Sequence, residues 1–187
     1  GVDAPAFGPS PDALERPVGG GRDGLATTKV YLTGPQYTPY ARQYVEALAQ
    51  QIRDLGMEVF VPTMRLATDE PRPTPEEVFD HDYAELESSN VLISLLDGTQ
   101  IDDATALELG LFYGLSLSDP SKKGTVGLIT DVRGLRWRDN GFGCNHFPVG
   151  LLEYSGGICD NLDDVILQVE AWHEELTAAT GGGGQDQ

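Results

Sequence analysis

The stretch LLDGTQIDDATALELG, Leu95 to Gly110, carries four acids, Asp97, Asp102, Asp103 and Glu108, in an otherwise apolar run. Carboxylates are costly beside a core, so their presence asks for a reason. Glu108 falls about one turn inside a helix, between Leu107, Leu109 and Leu111. A glutamate there is either a solvated residue favoured by the helix dipole or a partly buried nucleophile or general acid/base. Gly110 and Gly114 favour burial, because glycine lets a helix approach another backbone closely. Asp102 falls in the preceding loop or at the cap. Upstream, Asp80 and Asp82 flank His81, and one of them can face the same cleft. Tyr31 is placed to hold a carboxylate by a hydrogen bond.

The elements that must position these groups alternate. KVYLT, Lys29 to Thr33, is β-rich and ends at Gly34-Pro35, which predicts a strand and a turn. Tyr44, Leu48, Ile52 and Leu55 form the apolar stripe of a helix over Tyr40–Leu55, stopped by Gly56. Met57–Pro62 reads as a second strand. Thr74-Pro75-Glu76-Glu77 opens a helix with a cap, a first-turn proline and acids at the positive dipole end. That helix runs to about Ser89.

NVLISLLD is apolar on both faces, as a central parallel strand is. Asp102 or Asp103 caps a helix from Ala104 to about Leu117. Gly124–Thr130 is a fourth strand, Gly150–Glu153 a short fifth, and Asn161–Ala179 a closing amphipathic helix. Alternating strands and helices give a parallel sheet covered on both faces. In such sheets ligands bind beyond the carboxyl ends of the strands. Gly34-Pro35, the acidic cluster and the segment after Asp131 meet there. The sequence has no internal repeat.

Length and composition limit the alternatives. The chain has 187 residues and is 40% hydrophobic, which suits one folded domain. We expect that domain over 28–180, with a loose arm at 1–27 and a flexible tail at 181–187. No apolar run reaches the roughly 18 residues of a membrane span. No signal-peptide pattern opens the chain, so the expectation is a soluble, cytoplasmic protein. The formal charge is −18, from thirty acids against twelve bases, and only Lys29, Lys122 and Lys123 are lysines. That surface repels nucleic acid and anionic membranes, and it resembles proteins of high-salt cytoplasm, where counterions screen self-repulsion. Cys144 and Cys159 make no disulfide framework, and with His146 they lack a standard zinc spacing. No metal is expected. Arg133–Gly143 reads either as an insertion covering the sheet edge or as a lid whose Trp137 or Phe142 stacks on a ligand ring.

KVYLTGP, DHDYAELESSNVLISLLDG and DDATALELG together resemble the nucleoside 2-deoxyribosyltransferase family, from Lys29 to about Leu167. The most specific feature is the ordered set Asp82, Asp102, Glu108, with spacings of twenty and six. The resemblance implies a flavodoxin-like open parallel five-stranded α/β sheet with helices on both faces, assembled as a homodimer or larger homo-oligomer. It implies an enzyme without a cofactor that cleaves the N-glycosidic bond of a nucleoside and passes the sugar to another nucleobase or to water. In that scheme Glu108 matches the nucleophile and Tyr31 the residue that positions it. Asp82 matches the acid that protonates the leaving base, and Asp102 the ligand of the sugar hydroxyls. Gly34 and Pro35 lie at the substrate edge, and Asn145 is the candidate for an asparagine that the family draws from a neighbouring subunit. Cleaving an N-glycoside builds positive charge on the sugar, which a carboxylate can stabilise and trap. The two-step route follows the logic of retaining glycosidases.

The chain departs from the family pattern in having Ala104 before Thr105 where glycine is common. Related hydrolases of nucleoside 5′-monophosphates carry a serine six positions before the glutamate. Asp102 stands there in this chain, and a carboxylate repels a phosphate. Arg65 or an arginine of the 133–138 loop could compensate, but the expected substrate is a free nucleoside. The alternatives are a 5′-monophosphate N-glycosidase and a non-catalytic nucleotide-sensing module. Against a phosphoacceptor receiver, the first strand ends in Thr33-Gly34-Pro35 and not in an acidic pair.

Overall fold

The computed structural model describes residues 27–62, 72–133 and 143–181. The arm at 1–26, Arg65, residues 134–142 with Trp137 and Phe142, and the tail at 182–187 lie outside the described residues. Five strands are present: β1 (Lys29–Thr33), β2 (Glu58–Phe60), β3 (Val91–Leu95), β4 (Gly124–Leu128) and β5 (Ile158–Cys159). They form one sheet in the order β2-β1-β3-β4-β5, and every pairing is parallel. Among the described residues five helices cover it: α1 (Pro39–Asp54), α2 (Pro75–Ser88), α3 (Asp103–Ser116), α4 (His146–Ser155) and α5 (Leu162–Gly181).

Both faces of the sheet are buried, so the central strands carry apolar residues at consecutive positions. Val30 and Leu32 of β1, with Val91, Ile93 and Leu95 of β3, pack against Val45, Leu48, Ala49 and Ile52 of α1 and Val165, Val169 and Trp172 of α5. The alternate residues Tyr31 and Leu92 turn to the other face, against Leu86 of α2, Leu109 and Phe112 of α3, and Leu152 of α4. The two-residue period of a strand thus puts Tyr31 on the α3 side.

The chain leaves β1 outward to β2 and returns across it to β3 on the other side. Loops after β1 and β3 therefore diverge, which opens a crevice at their carboxyl ends. Gly34 lines this crevice at φ 155°, and a Cβ there would stand 2.6 Å from that of Leu95. Only glycine lets the β1 loop lie so close to β3.

α2 begins with a full capping box between Thr74 and Glu77. Its other end is pinned by two buried lysines. Lys29 Nζ meets Glu85 at 2.5 Å and Ser88 Oγ at 2.8 Å. Lys122 Nζ donates to the carbonyls of Glu87 and Ser89 at 2.6 and 2.8 Å, where the negative end of the helix dipole favours a cation. Two of the three lysines thus hold the helix that carries His81 and Asp82.

Several expectations are corrected. Gly150–Glu153 lies inside α4 and the fifth strand is Ile158–Cys159; VGLLEY is apolar, but it follows an Asn145 cap and extends through two turns of helix. Tyr44 is exposed and the buried stripe of α1 runs through Val45. Gly110 and Gly114 approach no other backbone, since a methyl on either would touch nothing among the described residues. Close approach occurs instead at Gly124 and Gly156, where a Cβ would meet the Trp172 ring at 2.7 and 2.6 Å.

Candidate functional site

Glu108 lies one and a half turns into α3, and both its oxygens are held by β1. The Tyr31 hydroxyl donates to Oε1 at 2.8 Å, and the Thr33 hydroxyl donates to Oε2. Tyr31 and Thr33 are two apart on one strand and so point to one face. That spacing was available in KVYLT, yet sequence reasoning singled out only the tyrosine. Thr33 Oγ1 also lies 3.2 Å from Thr105 Oγ1.

Burial pushes the Glu108 carboxyl up most, the two hydroxyls pull it down, and the negative charges of Asp82 and Asp102 push it up, which together leave it raised to about 7. Burial, with the neighbouring Glu108, raises the Tyr31 phenol far above its ordinary range. Tyr31 is therefore a standing donor to Glu108.

The cleft above these groups measures about 310 Å³. Asp102, Ala104 and Glu108 of α3 form one wall, and Glu77, His81 and Asp82 of α2 the other. Thr33, Gly34, Gln36 and Tyr37 after β1 supply the floor and rim. Among the described lining residues there is no lysine or arginine. A smaller, apolar groove of about 200 Å³ also borders Glu108, between Phe79 and Tyr83 of α2 and Leu107 and Leu111 of α3.

Asp102 rather than Asp103 is the N-cap of α3. Its Oδ2 accepts from the Thr105 backbone N–H at 3.3 Å, while Oδ1 accepts from the exposed Tyr37 hydroxyl. That bond pushes the Tyr37 phenol up to about 12. Gln36 ties the same loop to β2 through a 2.6 Å bond to the Pro62 carbonyl. His81 Nδ1 lies 3.0 Å from Asp82 Oδ1. The Phe60 ring sits between Tyr31 and His81, with centroids 5.2 and 5.6 Å away.

Of the residues expected from sequence, Glu108, Asp82, Asp102, Tyr31 and Gly34 converge here. Asp82, not Asp80, faces the cleft, and Asp80 is exposed. Pro35 adjoins Gly34 but does not line the cleft. Asn145 caps α4, accepting from the Phe147 N–H at 2.9 Å, and it does not line the cleft either. Asp97 has another task. Its carboxylate accepts from the backbone N–H groups of Thr130 and Asp131 at 2.6 and 3.2 Å and from the Thr130 hydroxyl, tying the end of β3 to that of β4. Arg133 pairs with Asp131 at 3.1 Å and donates to the Leu96 carbonyl. Sequence reasoning did not identify Tyr37, Gln36 or Thr33, since each matters through a partner distant in the chain.

Among the described residues no group of histidines, cysteines and acids could hold a metal ion, and no helix is long and apolar enough to cross a membrane.

The family model for nucleoside 2-deoxyribosyltransferase matches residues 30–152. Among curated proteins there is no match. A solved structure of a conserved protein from Enterococcus faecalis shares 24% identity, covers 78% of this chain and 99% of its own, and has a TM-score of 0.64. A 2-deoxyribosyltransferase from Bacillus psychrosaccharolyticus is 22% identical over 74% of this chain and 90% of its own, with a TM-score of 0.56. A CMP N-glycosidase from Clostridium botulinum is 15% identical over 78% and 99%, with a TM-score of 0.51. At these identities the structures share the fold.

Proposed function

Because the chain belongs to the nucleoside 2-deoxyribosyltransferase family, we propose that it breaks the N-glycosidic bond of a free nucleoside through a covalent sugar ester on Glu108. The observation that carries this reading is a half-buried carboxylate at the β1/β3 crevice, with a hydroxyl on each oxygen. A Glu108 oxygen attacks C1′ and the C1′–N bond breaks. The electron pair leaves with the base, which takes a proton from the Asp82 side of the cleft. An incoming base nitrogen or water oxygen then bonds to C1′ and gives up its proton to the Asp82 side of the cleft, and the ester pair returns to Glu108. Asp102, at the cleft wall, accepts from sugar hydroxyls, and Tyr37 aims its carboxylate.

The absence of a basic side chain among the described lining residues favours a nucleoside over its 5′-phosphate. Exposed apolar side chains support a homo-oligomer: Leu107 on α3, Leu117 at its C-cap, and Phe147 and Tyr154 on α4. The test is incubation with deoxyinosine, with and without adenine. Deoxyadenosine formation identifies transfer, and hypoxanthine release alone identifies hydrolysis. Nucleoside binding by calorimetry, without base release from any common deoxynucleoside or monophosphate, overturns the proposal in favour of a sensing module.

A further inference from the structure

We infer that Thr33 is a positioning residue for Glu108, its hydroxyl fixing one carboxylate oxygen while Tyr31 fixes the other. The inference rests on the reading of Glu108 as the nucleophile.

Thr33 lines the larger cleft, Tyr31 lines the smaller apolar groove, and Glu108 borders both. Thr33 thus holds Glu108 from a residue that itself lines the larger cleft, where a sugar would sit. A threonine hydroxyl has one proton to give. Once that proton is spent on Glu108 Oε2, the 3.2 Å contact with Thr105 must run the other way, with Thr105 donating to Thr33. Thr105 is well placed to do so. It is fully buried, and its backbone N–H is held by Asp102 at the head of α3. Thr33 is only 4% exposed, and its hydroxyl is therefore oriented from behind and points its proton at the carboxylate.

This matters because burial and the neighbouring acids both work against the Glu108 charge. The titratable groups facing it are Tyr31 from β1, Asp82 with His81 and Glu77 along the α2 wall, and Asp102 at the start of its own helix. Burial disfavours the carboxylate most strongly, and Asp82 and Asp102 add to that. The Thr33 hydroxyl is the largest opposing influence, ahead of Tyr31. A nucleophilic carboxylate must be ionised, so the donor that favours the ion also sets the pH range of the first step.

The test uses the full chain as wild type, Thr33→Val and Thr33→Ser. Glu108 titration is followed by infrared difference spectroscopy over roughly pH 5 to pH 9, with Glu108→Gln subtracted. The kcat/KM profile for base exchange is followed over the same range. Thr33→Val keeps the shape and removes the donor. It is expected to raise the Glu108 midpoint by about one pH unit, as loss of a charge-assisted hydrogen bond would, and the acid limb of kcat/KM should follow. Thr33→Ser is expected to restore the wild-type midpoint. Should Thr33→Val not fold, Thr33→Ala removes the same donor. An unmoved midpoint without the hydroxyl, or a serine variant shifted as far as valine, overturns the inference. If the wild type turns over no nucleoside, the functional reading fails, and the infrared midpoint still decides whether Thr33 holds the carboxylate.

Discussion

Glu108→Gln should stabilise the protein at alkaline pH and do little at acid pH. The carboxyl ordinarily titrates near 4.5 and reaches about 7 in the fold, chiefly through burial. A group whose value rises on folding binds its proton more tightly in the native state. Stability is then full below about 4.5 and falls as pH rises through about 7. At about 1.4 kcal/mol per pH unit the full penalty is about 3 kcal/mol. One edge of the carboxylate faces the open cleft, and solvent screening there brings the expected gain to about 1–3 kcal/mol. Glutamine keeps the volume. Its carbonyl can accept from Tyr31, and its amide can donate to the Thr33 oxygen. Urea melts of both proteins at roughly pH 5 and pH 8.5, at one fixed salt concentration, measure the difference. A gain that does not grow with pH, or a variant less stable than wild type at the higher pH, refutes the reasoning. The same variant should lose turnover, because an amide is a poor nucleophile.

Asp82→Asn should slow base release by about tenfold or more for bases that leave poorly, and less for those that leave well; a uniform loss across a leaving-group series would contradict its role as acid. Deoxynucleosides should react at least about tenfold faster than their 5′-monophosphates, since one carboxylate–phosphate charge pair costs about 1 kcal/mol at 4 Å in water and several in a drier cleft. Asp102→Ser should narrow that gap, and a wild-type preference for the monophosphate would sink the reading of Asp102. With a formal charge of −18, the protein should melt several degrees lower in about 0.1 M than in about 2 M KCl; equal melts would remove the case for a salt-adapted surface.

Strand-and-helix alternation made the architecture legible, because each strand is bounded by glycine, proline or a cap and each amphipathic helix shows its period. The Thr74 cap was readable from local chemistry alone, and the cap of α3 was narrowed to Asp102 or Asp103. The fifth strand was not, because Ile158–Cys159 is too short to carry a pattern, while the apolar run that suggested a strand is held helical by its cap. The glycines of α3 misled for a related reason. Sequence shows that a residue lacks a side chain, but what stands opposite it depends on packing. In the site, carboxylates were legible because a charge within an apolar segment is conspicuous. Thr33 and Tyr37 were not, since a threonine ending a strand and a tyrosine in a turn are ordinary until their partners, 75 and 65 residues away, are known.

The four acids between Leu95 and Gly110 divide between architecture and the site. Asp97 answers backbone donors at the end of β4, and Asp103 adds a negative charge to the first turn of α3. Asp102 serves both ends. One oxygen caps the helix by holding the Thr105 N–H, and the other takes the Tyr37 hydroxyl in the cleft. Thr105 in turn backs Thr33, which holds Glu108. Losing Asp102 altogether would therefore disturb Glu108 through the helix start, apart from any contact with sugar. Serine is as good a cap as aspartate, so it can keep the Thr105 N–H satisfied while removing the charge. It separates two effects that alanine would merge: a loss seen with both substitutions includes the substrate contact, whereas a loss seen only with alanine belongs to the helix start.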